Sequence, residues 1–150
     1  MTLWTVETAQ ADFRDNDRDG NGERDYWRGD IRGLCTLGGE RRMIKLIEPS
    51  AAMADDRPVS PAYPESEPHP KGGFWYRAIR LPGEGIPNPN HWAAACHPAT
   101  YGPGIRSTYV IREDGVVWRK DLGHGHGIDM YPDNPERDGW IQVEMGDSSQ

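Results

Sequence analysis

Between Asp15 and Asp25 the chain reads Asp-Asn-Asp-Arg-Asp-Gly-Asn-Gly-Glu-Arg-Asp, set between an amphipathic segment and the aromatic pair Tyr26-Trp27. Carboxylates crowded this closely repel one another unless a cation gathers them. Asp17, Asp19 and Asn21 stand at every second position, Gly22 follows, and Asp25 comes three later. This is the D-x-D-x-N-G-x-x-D spacing of a calcium loop. Alternating short side chains turn oxygens toward one centre, and the glycine allows the sharp turn. The spacing assigns Asp17, Asp19, Asn21 and Asp25 as side-chain ligands and Glu23 as a backbone-carbonyl ligand. The twelfth position, where an EF-hand places a bidentate Glu, is Arg28. Asp30 or water then completes the shell. A second register starts at Asp15 and puts Tyr26 at the last ligand position. The bland alternative is a solvated turn in which Arg14, Arg18, Arg24 and Arg28 neutralise the acids. Residues 12–30 hold seven acids against four bases, an excess that favours a cation. The expected affinity is that of an extracellular module, on the order of 0.1–1 mM.

The 150 residues are expected to form a single domain. A chain of this size buries roughly 70% of its unfolded surface, enough for one core. Gly 18 and Pro 13 announce abundant loops, and the mean hydropathy of −0.83 is on the polar side. The net charge of −7 argues against nucleic acid as a partner. No Lys/Arg-rich helix offers a face to a membrane surface, and no apolar run is long enough to span one. Cys35 and Cys96 are not in a C-x-x-C motif. Paired, they would close a loop of about 60 residues and add ~2–4 kcal/mol. Unpaired, they would be buried thiols, and sequence leaves both open.

Along the chain, residues 1–56 are expected to hold a helix, the calcium loop and short helices. Leu3, Val6, Gln10 and Phe13 recur at three- and four-residue steps, so residues 2–14 read as a helix with one face to cover. Residues 30–37 read as a helical turn closed by Gly38-Gly39, and Pro49 opens another through Ala54. The segment 42–47 is apolar and of no evident type. Residues 57–73 form a proline-rich connector that forbids helix. Residues 74–121 read as an antiparallel sheet: strands over 74–81 and 92–97, then a hairpin of 105–112 and 116–120 around Glu113-Asp114-Gly115. The tail, 122–150, is Gly- and Pro-rich, with Ile128, Met130, Tyr131 and Trp140 as anchors onto the body. The predicted fold is α+β, an N-terminal amphipathic helix packed on a three- or four-stranded antiparallel meander.

This order resembles the globular part of type IV pilin-like proteins and type II secretion pseudopilins. Locally the chain is similar to a bacterial prepilin-type family of unassigned role. The likeness lies at Ala9-Gln10-Ala11-Asp12-Phe13-Arg14, Asp17-Arg18-Asp19-Gly20-Asn21-Gly22 and Asp25-Tyr26-Trp27-Arg28-Gly29-Asp30. It continues at Gly73-Phe74-Trp75-Tyr76-Arg77-Ala78, Asp114-Gly115-Val116-Val117, Lys120-Asp121-Leu122-Gly123 and Asp138-Gly139-Trp140. The resemblance implies a pilin-like module of a filament or secretion apparatus, periplasmic or at the extracellular surface. It implies partners that are further copies or other pilin-like subunits. It also implies a Ca2+ ion bracing the domain, carried over to Asp17, Asp19, Asn21 and Asp25. Such proteins begin with a leader and about 20 apolar residues. Neither is in this sequence, which implies a trimmed start or a relative that has lost assembly.

Four other chemistries bear on the reading. His124 and His126, two residues apart, could hold zinc in a hydrolase if His91, His97, Asp121 or Asp129 joined them. They lie in a Gly-rich loop without an H-E-x-x-H helix, so a solvated loop is the simpler reading. Cys96-His97 invites a nucleophile and base, but neighbours on a strand point to opposite faces. Gly83-Glu84-Gly85 and Gly102-Pro103-Gly104 lack the strand–loop–helix context of a phosphate site. Trp75, Tyr76, Trp92, Tyr109 and Trp118 read as core. An exposed subset would suit a soluble module that binds glycans or proteins.

Overall fold

A computed structural model describes residues 2–18, 20–36, 45–58, 60 and 67–144. The first element, α1 (Thr2–Asp15), follows the apolar stripe. Leu3, Val6, Ala9, Gln10 and Phe13 are all buried. Gln10 is polar yet fits this face, because its amide pairs with a backbone segment. It donates to the Trp27 carbonyl at 2.7 Å and accepts from the Trp27 N–H at 2.8 Å. Both polar ends are therefore satisfied inside the core.

Two short helices follow, α2 (Gly33–Thr36) and α3 (Pro49–Met53), where the sequence placed helical turns. A Cβ on Gly33 would enter the Trp27 ring, so only glycine fits beneath that indole. Residues 37–44, which take in the Gly38-Gly39 stop and the start of the untyped 42–47 segment, 59 and 61–66 of the proline-rich connector, and 145–150 of the tail lie outside the described residues.

Five strands make one antiparallel meander in the order β1-β2-β3-β4-β5. They are β1 (Phe74–Ala78), β2 (Ala93–Pro98), β3 (Ser107–Arg112), β4 (Val117–Asp121) and β5 (Ile141–Val143). The expectation of three or four strands is corrected to five. The extra strand lies in the tail, where three residues are too few to display a period. Strand β1 ends earlier than predicted. The chain continues past it through a parallel bridge between Arg80 and Met130, which keeps Leu81 buried. Another parallel bridge, Asp55 to Tyr76, covers the outer edge of β1. Covering an edge in this way blocks stray strand pairing.

The sheet is buried on both faces. On one side Phe74, Tyr76, Ala94, Cys96, Tyr109 and Ile111 meet the apolar stripe of α1 and the two short helices. On the other, Ile79, Ala93, Ala95 and Val110 are sealed by Tyr131 and Trp140, with Leu122 and Ile128 beside them. Strand β2 is buried at every residue, which explains its run of alanines. Large side chains would hold the two outer layers away from the sheet.

Candidate functional site

The acidic loop starts where α1 stops. The Arg18 N–H reaches back to the Phe13 carbonyl at 3.2 Å and the Asp17 N–H to the Arg14 carbonyl at 3.5 Å. This is a Schellman closure with Asp17 at the left-handed position, φ 46°. Glycine normally sits there, because a Cβ in that region is strained. The chain places a carboxylate at that point instead. The helix end also carries partial negative charge, which favours a cation nearby.

Of the predicted ligands, Asn21 and Asp25 touch each other and Asp17 bonds the backbone beside them. Asp17 Oδ2 accepts from the Gly22 N–H at 2.9 Å. Asn21 Oδ1 accepts from the Glu23 N–H at 2.8 Å, and its Nδ2 donates to Asp25 Oδ2 at 3.0 Å. The second oxygens, Asp17 Oδ1 and Asp25 Oδ1, are buried and have no hydrogen-bond partner among the described residues. Asp19 lies outside the described residues. Asp15 is the last residue of α1 and is exposed. The Glu23 side chain is exposed, which leaves its backbone carbonyl as the atom of interest.

Among the described residues no arginine is paired with Asp17 or Asp25. Arg14 lies 4.9 Å over the Tyr26 ring, and Arg18 pairs with Asp12 at 2.8 Å. Arg28, at the twelfth loop position, is turned away. It pairs with Glu84 and donates to the Asn88 and His91 carbonyls at 2.6 and 2.7 Å. Asp30 is committed as well. Its Oδ1 accepts from Gly33 N–H and Ser60 Oγ at 2.9 and 2.6 Å, and its Oδ2 from Ser60 N–H at 2.7 Å. Among the described residues no three His, Cys, Asp or Glu side chains converge on one point.

At the alternative metal pair, the His124 and His126 rings lie 4.9 Å apart, and the His126 N–H donates to His124 Nδ1 at 3.1 Å. The four residues named to complete that site have other partners. Asp121 accepts from Tyr101 at 2.8 Å, and Asp129 from Arg77 at 2.8 Å. His91 meets Glu113 at 2.5 Å, and His97 meets Asp56 at 3.3 Å. Cys35 and Cys96 are buried free thiols. Burial pushes both thiols up, away from reactive thiolate. Cys96 belongs to the helix-side core while His97 faces Asp56, so the two point apart as a strand requires. Of the five aromatics, Tyr76, Trp92 and Tyr109 are buried, and Trp75 and Trp118 are half-buried.

Two charged features had no sequence signal. Asp55 is 1% exposed and accepts the Arg32 and Arg57 N–H groups, each at 2.9 Å. Burial raises its carboxyl to about 6 despite those bonds, and nearby Asp30 and Asp56 push the same way. Arg77, also buried, grips Asp56 and Asp129. A side chain at Gly127 would collide with the Arg77 guanidinium, so the tail lies flush on it. These partners are far apart in sequence and share no local motif.

Comparison with known protein families, curated proteins and solved structures finds no match to this chain.

Proposed function

We propose that residues 17–25 hold one calcium ion and that the domain is a non-enzymatic, calcium-stabilised structural module of pilin-like kind. Asp17, Asp19, Asn21 and Asp25 are the side-chain ligands, and the Glu23 carbonyl is the backbone ligand. The observation that carries the reading is the pair of buried carboxylate oxygens, Asp17 Oδ1 and Asp25 Oδ1, left without a donor among the described residues. A buried polar atom without a partner costs about 1–3 kcal/mol, more when charged. A hard dication is the partner such oxygens fit, since calcium takes six to eight oxygens. Water fills the positions the protein does not supply. The ion would fix the angle at which α1 leaves the sheet and would stiffen the stretch leading to Tyr26 and Trp27.

The pilin-like part rests on the resemblance, with support from an N-terminal helix lying on an antiparallel meander. On this reading the module assembles with copies of itself or with other pilin-like subunits, in the periplasm or at the cell surface. Isothermal titration with calcium tests the site. One ion per chain, at sub-millimolar to millimolar affinity, supports it, and no heat of binding removes it. The DNA preceding the Met1 codon tests assembly. A leader and an apolar helix there support it, and an in-frame stop directly upstream overturns it.

A further inference from the structure

A cleft of about 530 Å³ lies between the 82–91 loop on one side and Arg112 and Asp133 on the other. Small-molecule sites occupy roughly 300–1,000 Å³ and are largely formed before the ligand arrives. This one has fixed walls. Arg28 holds the loop through Glu84 and the carbonyls of Asn88 and His91. The Tyr26 N–H holds it again through the Pro89 carbonyl at 2.7 Å. Opposite, the Arg112 guanidinium lies 5.4 Å over the Tyr131 ring and donates to Glu113 at 2.8 Å.

Glu113 holds His91 in place. Burial works to raise the Glu113 carboxyl, but hydrogen bonds from Arg112 and His91 overcome it and hold the group below its ordinary range. An ionised Glu113 at 2.5 Å requires the proton on His91 Nδ1. That contact holds the imidazole in place on the cleft wall. Asp133 has no hydrogen bond or ion pair among the described residues and lines the same cleft. Asn88 Oδ1 accepts from the Asn90 N–H at 2.9 Å, which leaves its amide N–H groups to donate. Ile86, on the lip, is 85% exposed, with buried Leu81 behind it.

The cleft thus offers an acceptor for a cation, donors for an anion and an apolar lip. A bare cation would meet Arg112, and a bare anion would meet Asp133. We propose that it binds an amino-acid-sized zwitterion with an apolar side chain. The ammonium goes to Asp133, the carboxylate to Arg112 and Asn88, and the side chain to Ile86 and Leu81. Calcium plays no part in this recognition.

Titration calorimetry with leucine, methionine and phenylalanine tests it, beside N-acetylleucine and leucinamide. Binding of at least one free amino acid is expected. Blocking the amine or the carboxylate should weaken leucine-type binding by roughly tenfold or more, the scale of one charge-assisted hydrogen bond. Asp133→Asn should weaken it comparably at an unchanged melting temperature, because Asp133 is exposed and has no partner among the described residues. No binding of any free amino acid at millimolar concentration overturns the proposal. Equal binding of leucine and its two blocked forms also overturns it.

Discussion

Replacing Asp17 by glycine should change stability in opposite directions with and without calcium. Asp17 occupies the left-handed position that closes α1, at φ 46°. Glycine relieves that strain, worth about 1 kcal/mol for a residue type that tolerates the region partly. The substitution also deletes the 2.9 Å bond from Gly22 N–H to Asp17 Oδ2, an exposed contact. Such a bond contributes about 0.5–1 kcal/mol. The two nearly cancel, so without calcium Asp17→Gly should match the wild type to within about 0.5 kcal/mol. With calcium the arithmetic differs. At ten to one hundred times the dissociation constant, binding adds about 1.4–2.7 kcal/mol to the wild type. A domain of this length gains roughly 2–4 °C per kcal/mol, so the melting temperature should rise by about 3–10 °C. The variant, lacking its first ligand, should rise far less. Thermal melts followed by circular dichroism, in chelator and in about 10 mM calcium, read both values. Equal calcium shifts in the two proteins would refute the reasoning. So would a variant that is already severely destabilised in chelator.

Two further perturbations follow from the buried charges. Asp55 is held near pKa 6 by burial, well above the ordinary 3.8 of an aspartate. A carboxyl whose folded pKa is raised binds protons more tightly in the folded state. Its contribution therefore improves as pH falls through 6 toward 4, by at most about 3 kcal/mol. Urea unfolding at pH 7 and pH 4.5 should show wild type gaining on Asp55→Asn over that interval, and parallel pH profiles would contradict the assignment. Arg77→Ala removes a 7% exposed guanidinium and strands Asp56 beside buried His97. Breaking a buried ion pair from one side costs about 3–5 kcal/mol. Denaturant unfolding should show a loss of this order, and a loss below about 1 kcal/mol would mean the network carries no weight.

The sequence disclosed elements whose period is long enough to read. The stripe of Leu3, Val6, Gln10 and Phe13 placed α1, and the turn at Asp114-Gly115 placed the β3–β4 hairpin. Ala93 to Ala95 read as strand because Pro98 comes too soon for a helix. Strand β5 stayed hidden because three residues show no alternation. Tyr131 and Trp140 were visible as anchors, but nothing local says that an irregular tail will seal a whole sheet face. At the site, spacing placed Asp17, Asn21 and Asp25 in one loop, where Asn21 bonds Asp25 and Asp17 bonds the Gly22 backbone. Asp30 read as a spare ligand because its partner, Ser60, is thirty residues away. Asp55 and Arg77 escaped notice for the same reason: burial and charge pairing arise from folding and leave no spacing to find.

A crystal structure grown in calcium tests the central claim most directly. The account predicts one ion in the loop, with oxygens at about 2.3–2.6 Å that include Asp17 Oδ1, Asp25 Oδ1 and the Glu23 carbonyl. A loop without an ion at saturating calcium, its carboxylates turned instead onto arginines, would contradict it.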